Sequence, residues 1–562
     1  MPFLSQGKLF SRHSNVDEKD RFSTISDTEA AEHFITELDK GSKRLGLISC
    51  IGLICNRMLG TGIFVVTSKI LELSGSVGLS LILWVIGSLI ALAGLYVYME
   101  FGTAIPRNGG EKNYLEFIFK KPKFFVTSMY AAYVFFLGWA AGNSVMAAQM
   151  FLTAGDVTVT KWNQRGLAVA VLTFCLLINS ISVKAGLYFQ NALGIFKIFI
   201  IVFISITGWV ALAGGLNAPK TDNFHDAFSG TESATAYGVV NALYNVIWSF
   251  VGYSNVNYAL GEVRNPVKTL KVAGPISLIV LAVLYMFVNI AYFAVVPRET
   301  IIGSELTLAA EFFRIAFGER AKKAAAIFIA LSALGNVSSV IFSQGRIIQQ
   351  LGREGVLPFS GFFATSKPLE SPMVGLFQHF IVCTITILGP PPGDAYNFVM
   401  NLISYPMNIV NFTISSGLLW LYWQHRKGQV KWNPPIKAGV FAVTFFMLAN
   451  LYLIVVPYIP PSGGKTVYKS LPYWIHCVVT WIVFGFGGLY WLVWAKLLPK
   501  WGNYKLVYSE VLGEDGFWRN NIVRRYNNEV EDNDNEVSNV SSFKVNDSND
   551  IKVRTISSEG GS

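Results

Sequence analysis

The 562-residue chain is 52% hydrophobic and 14% aromatic but only 14% charged, against roughly 25% charged residues in a soluble globular protein. Its apolar residues stand in blocks long enough for the roughly 20 residues that cross a bilayer as helix, which excludes a large water-soluble core and points to an all-α polytopic membrane protein. The net charge of +10 gathers beside the ends of these blocks, a topology signal that argues against nucleic acid as a partner.

Residues 1–45 are polar and lack the apolar core of a signal peptide, so they read as a disordered N-terminal tail. Twelve spans are then predicted, near 46–71, 78–104, 124–153, 166–184, 187–214, 236–260, 270–296, 323–348, 373–390, 396–423, 438–459 and 472–495. Together they define a transporter-sized body over 46–495 in contact with the lipid bilayer. An even count puts both tails on one side. The loops of that side hold Arg107, Lys112, Lys120, Lys121 and Lys123, then Arg264, Lys268 and Lys271, then Arg426, Lys427, Lys431 and Lys437. The positive-inside rule makes both termini cytosolic.

One outer loop, 298–323, departs from this pattern. Leu308, Phe312 and Ile315 recur there at helical spacing with Glu311 and Arg314 between them, predicting a short amphipathic helix. The C-terminal tail, 496–562, reads as largely disordered, although "KLVYSEVLGEDGFWRN" (505–520) is apolar enough to dock on the cytosolic face. Lys8, Lys19, Lys40 and Lys43 stand beside Ser and Thr in the first tail. Both a plain solvated tail and regulation through a ubiquitin-ligase adaptor fit them. The five cysteines all fall inside apolar spans and read as free thiols.

Two spans are interrupted. The first carries Gly60-Thr61-Gly62 at its midpoint and the sixth carries Val251-Gly252 within "SFVGYSN". A broken helix survives in hydrocarbon only where it lines a protein-walled cavity. Breaks five spans apart are the pattern of a 5+5 inverted repeat with a binding site between discontinuous helices 1 and 6. Half-helix amides attract a carboxylate, and freed carbonyls accept from an ammonium.

The stretches "GTGIFV" (60–65), "YMEFGTAIPRNGGEKNYLEFIF" (98–119), "ALGEVRNPVKTLKVAGPISL" (259–278) and "LSALGNVSSVIFSQGRIIQQLGREGVLP" (331–358) resemble the amino acid–polyamine–organocation transporters. Among these the chain is similar to the L-type amino acid transporters, and "LICNRMLGTGIF" and "NVIWSFVGYSNVNYALGE" resemble the fungal methionine permeases. The resemblance implies ten core helices in a 5+5 inverted repeat plus two more, with alternating access around a midplane site. It places a substrate carboxylate on the amides of Thr61, Gly62 and Ile63, with Gly60 also in the substrate site, and its amine on carbonyls of Met58, Trp248, Phe250 and Val251. It gives Trp248 a role in closing the pocket and Gly252 one in close substrate approach. Tyr133, Phe136, Trp248 and Ser339 are candidates for the side-chain pocket. The outer loop 151–166 lacks the cysteine with which animal L-type chains bind a heavy chain, so no disulfide-linked heavy chain is expected.

Two charges lie about ten residues inside their spans, roughly 15 Å deep at 1.5 Å per residue. Lys197 matches a fifth-span lysine of the superfamily, where it stands in for a sodium ion, either titrating to couple protons or acting as a fixed strut. Arg57 is either half of an inner-gate ion pair or a static strut, with Glu100 and Glu262 as candidate counter-ions and Arg346 competing for them. The leading expectation is a proton-coupled importer of L-methionine at the plasma membrane, with cysteine and other neutral amino acids as further substrates. A neutral amino acid exchanger and a nutrient sensor signalling through the tails are the alternatives. No metal-ligand or nucleophile–base arrangement is legible, so neither an enzyme nor a cofactor is expected.

Overall fold

The computed structural model describes residues 45–526, apart from 108, 217–220, 367, 368, 370, 392, 462–466 and 513–517. The predicted N-terminal tail and residues beyond 526 lie outside the described residues.

Helices stand at every predicted span. In chain order they are α1 (Leu47–Met58), α2 (Gly62–Ser74), α3 (Val77–Ala104), α4 (Glu111–Ile118), α5 (Phe125–Phe136), α6 (Ala141–Ala154), α7 (Lys161–Ile181), α8 (Val183–Leu212) and α9 (Ala236–Phe250). A 3-10 segment over Asn255–Glu262 follows. Then come α10 (Pro266–Val295), α11 (Arg298–Gly303), α12 (Leu308–Phe317), α13 (Glu319–Arg353), α14 (Ser360–Ala364), α15 (Met373–Leu388), α16 (Ala395–Arg426), α17 (Val440–Val455), α18 (Ile475–Trp491) and α19 (Leu498–Trp501).

Among the described residues eight helical stretches are long and apolar enough to cross a membrane alone, and α1 with α2 makes a ninth, bent by 43° at its break. The remaining predicted spans coincide with α15, which is short, with α9, whose helix stops at the second break, and with α16. Large apolar side chains such as Leu89, Ile195, Phe199, Leu448 and Phe486 face outward, as helices bathed in lipid require. This is a polytopic, all-α membrane protein.

Local signals explain several helix ends. The Ser76 hydroxyl accepts from the Leu79 amide at the start of α3, and Thr160 forms a reciprocal cap with Asn163 at the start of α7. Pro266 opens α10, where its missing N–H has no cost. The predicted amphipathic helix is α12. It buries Leu308 and Phe312, while Glu311 pairs with Arg314 at 2.5 Å and with Lys322 at 2.8 Å.

The expectation that 496–562 is largely without structure needs correction over 504–512 and 518–526. There β1 (Tyr504–Leu512) and β2 (Trp518–Tyr526) form an antiparallel hairpin in the register Tyr504–Tyr526 to Leu512–Trp518. It docks on the body, with the Ile522 amide donating to the Glu354 carbonyl at 2.9 Å and the Tyr508 ring 5.1 Å from that of Phe124. At the same end, Lys112 of α4 bridges Glu116 at 3.1 Å and Glu354, tying α4 to the end of α13.

Candidate functional site between two broken helices

Between Met58 and Gly62 the backbone leaves the helix. The Gly60 amide turns back to the Met58 carbonyl at 2.8 Å, and α2 restarts after Thr61. The amides of Thr61, Gly62 and Ile63 find no acceptor among the described residues. That is the condition of a helix N-terminus able to take an anion. In the second break α9 ends at Phe250 and Gly252 adopts φ +121°, a conformation that only glycine takes without strain.

The two breaks are packed against each other. A Cβ on Gly62 would lie 2.4 Å from Ser249 Oγ and 3.0 Å from Ser249 Cα. Tyr285 of α10 links them by donating to the carbonyls of Met58 at 2.9 Å and Ser249 at 3.2 Å. A polar chain fixes the first break from the other side. The Thr61 hydroxyl donates to Asn143 Oδ1 at 2.5 Å, Asn143 Nδ2 to Asn336 Oδ1 at 2.8 Å, and Asn336 Nδ2 to the Arg57 carbonyl at 3.3 Å. Tyr396 OH stands 3.5 Å from the Thr61 hydroxyl. Thr61, Asn143 and Asn336 are at most 4% exposed, so their geometry is held by mutual bonding rather than by bulk water.

The family model for amino acid permeases matches residues 45–484, which contain both breaks and every helix that frames them. The chain belongs to the amino acid permease family. This permease is 66% identical over 553 residues to the high-affinity methionine permease of Saccharomyces cerevisiae, covering 95% of this chain and 96% of the relative. It is 32% identical to the low-affinity methionine permease of the same yeast, covering 84% and 86%. The b(0,+)-type amino acid transporter 1 of Mus musculus is 28% identical, covering 82% and 90%. Its relatives are permeases and transporters, and the chain is a transporter rather than an enzyme.

The structure sorts the predicted site residues of the permease. Gly60 and Thr61 lie in the first break, Gly62 and Ile63 open the helix that follows it, and Val251 and Gly252 form the second break. Met58 needs correction as an amine acceptor, because its carbonyl already receives the Gly60 amide and the Tyr285 hydroxyl. The Trp248 carbonyl receives the Val251 amide at 3.3 Å, whereas those of Phe250 and Val251 have no donor among the described residues. The Trp248 ring stands beside Gly142 and near Tyr396. The Phe250 ring packs on Trp84 and Tyr285.

Ser339 is buried on α13, one turn after Asn336. Tyr133 lies 5.3 Å from the Trp139 ring and lines an internal cavity with Arg57. Phe136 does not join them. It is 47% exposed and packs on Phe135 and Phe486, because α5 turns that position outward.

The charges also rearrange. Glu100 is not the counter-ion of Arg57. It accepts from the Trp432 indole and the Ala438 amide, both at 2.7 Å, and from Tyr422. Arg346 lies over the Phe342 ring at 4.3 Å. The Glu262 side chain lies outside the described residues. Lys197 is fully buried and donates to Asn56 Oδ1 at 3.5 Å, and Asn56 in turn donates to the Gln190 carbonyl.

Asn143, Asn336, Tyr285 and Tyr396 were not among the predicted residues. Asn143 and Asn336 each follow a glycine inside an apolar span, in "AAGNS" and "ALGNV". A buried amide there demands a polar partner, and that signal was available.

Proposed function

We propose that this permease imports L-methionine across the plasma membrane by alternating access, driven by the proton gradient, with both termini cytosolic. The 66% identity to a relative named a high-affinity methionine permease, spanning 95% of the chain, carries the substrate assignment. The paired breaks carry the mechanism. The free amides of Thr61, Gly62 and Ile63 receive the carboxylate. The free carbonyls of Phe250 and Val251, rather than that of Met58, receive the ammonium. Trp248, Tyr396 and Ser339 then supply walls for the side chain, and a polarizable thioether suits an aromatic wall. Cysteine and other neutral amino acids compete at that wall, since one methylene discriminates by only about 1–3 kcal/mol.

Lys197 supports proton coupling. A central lysine costs at least ~2.5 kcal/mol to insert, and among the described residues its side chain hydrogen-bonds only to an amide oxygen. A proton released to the inner side makes that charge dispensable for part of the cycle. Lysines of the N-terminal tail, such as Lys8 and Lys19, are the candidates for recognition through a ubiquitin-ligase adaptor.

Purified chain in liposomes with an imposed pH gradient and no internal amino acid tests this reading. It should accumulate labelled L-methionine, and Lys197→Ala should abolish accumulation while sparing exchange against internal methionine. Uptake that requires internal amino acid even in the wild type would replace symport by exchange.

A further inference from the structure

Beside the second break lies a partly open cavity of about 60 Å³, more than the ~10–15 Å³ that one water occupies on this measure. Arg57, Glu111, Tyr130, Tyr133, Val251 and Gly252 are on its wall. Glu111 is 8% exposed, and its oxygens accept from Tyr258 OH at 2.7 Å and Tyr130 OH at 3.3 Å. Both donors are neutral, and among the described residues no cation pairs with Glu111. Tyr258 and Tyr133 line the cavity with Arg57. Among the described residues no carboxylate comes within 4.0 Å of the Arg57 guanidinium.

A guanidinium and a carboxylate thus line one partly open cavity without pairing. Glu111 is buried and Arg57 half-buried, and a charge held that far from bulk water is costly without a partner. A simple cation would relieve Glu111 and repel Arg57, and a simple anion would do the reverse. A zwitterion relieves both, and each carboxylate oxygen of Glu111 keeps a lone pair for it.

We infer that this cavity is a second amino acid site, where Arg57 holds the α-carboxylate and Glu111, with Tyr130 and Tyr258, holds the α-ammonium. The site rests on the reading of the chain as an amino acid importer and shares the Val251-Gly252 wall with the first site. A substrate leaving the breaks on this side meets it next. The volume suits the charged head group, and Ile347 and Met407 on the same wall offer apolar surface to the side chain.

Equilibrium binding of radiolabelled L-methionine to the purified full-length chain in lipid nanodiscs tests the site. The expected isotherm has two components and saturates near two methionines per chain. Glu111→Gln and Arg57→Gln should each weaken the second component at least tenfold more than the first, and both keep the stem atoms that pack the region. Should a variant fail to fold by its elution profile, the wild type still decides the matter. Neither the amine lacking the carboxylate nor the acid lacking the ammonium should displace the second component. Saturation at one methionine per chain, a second component unchanged in both variants, or its displacement by either analogue overturns the site and leaves the import reading intact. Absence of any methionine binding overturns the substrate reading and this site with it.

Discussion

Gly252 and Arg57 touch across the two broken helices: a Cβ on Gly252 would lie 2.4 Å from Arg57 Cγ and 2.9 Å from Arg57 Cβ. The contact puts the arginine stem on the very residue whose φ of +121° makes the second break. Gly252→Ala therefore meets a clash and a strained backbone together, each costing about 1–3 kcal/mol. The variant should lose several degrees of thermal stability in detergent, and its methionine uptake should fall at least tenfold. Shortening the arginine, in Gly252→Ala with Arg57→Ala, should recover part of the stability but not the uptake. Full recovery of both would mean that the glycine serves packing alone.

Asn143 is the middle of the chain that holds the first break. Asn143→Ala leaves the Thr61 hydroxyl and the Asn336 carbonyl oxygen without their buried partners, a cost of about 1–3 kcal/mol. Because Thr61 contributes an amide to the proposed carboxylate site, the loss should appear as a raised KM for methionine as well as a lower Tm. A variant with reduced Tm and unchanged KM would separate the network from substrate binding.

Glu111 gives a pH dependence. Burial raises its pKa above the usual carboxylate range, partly offset by hydrogen bonds from Tyr258 and Tyr130. The folded chain therefore holds this proton to higher pH than the unfolded chain does. The corresponding stability is present below the ordinary value of 4.5 and is lost as pH rises through the raised folded value. Glu111→Gln has no such term. Its thermal stability relative to wild type should rise with pH from about 4 to 8. A difference that is flat across that range would show that Glu111 is as well stabilised in the fold as in water.

Most of the architecture was legible because hydrocarbon imposes a simple rule. Spans such as Val77–Ala104 declare themselves by length and the absence of charge, and the breaks at Gly60-Thr61-Gly62 and Val251-Gly252 by opposing that pattern. The partners of charges were much less legible. Arg57 looked toward Glu100 by depth along the chain, but Glu100 is consumed by Trp432, Tyr422 and Ala438. Glu111, which shares the cavity, belongs to a short helix between spans and reads in sequence as loop charge.

Depth along a span does not give rotation about its axis, which is why Tyr133 faces inward and Phe136, nearly one turn later, faces outward. The hairpin was missed because 505–512 alternates weakly, and its strand pairing depends on docking against Phe124 and Glu354. The Met58 carbonyl was misassigned because sequence cannot show that Tyr285, more than 200 residues away, already donates to it.

The most direct test of a zwitterion held between two helix breaks is uptake of labelled L-methionine by cells lacking their own methionine permeases and expressing this chain. Competitors would be unlabelled L-methionine, its methyl ester and the corresponding decarboxylated amine. Saturable uptake is predicted, blocked by L-methionine and spared by the ester and the amine, which cannot present a carboxylate to the amides of Thr61, Gly62 and Ile63. No saturable uptake, or competition by the amine equal to that of methionine itself, would contradict the account.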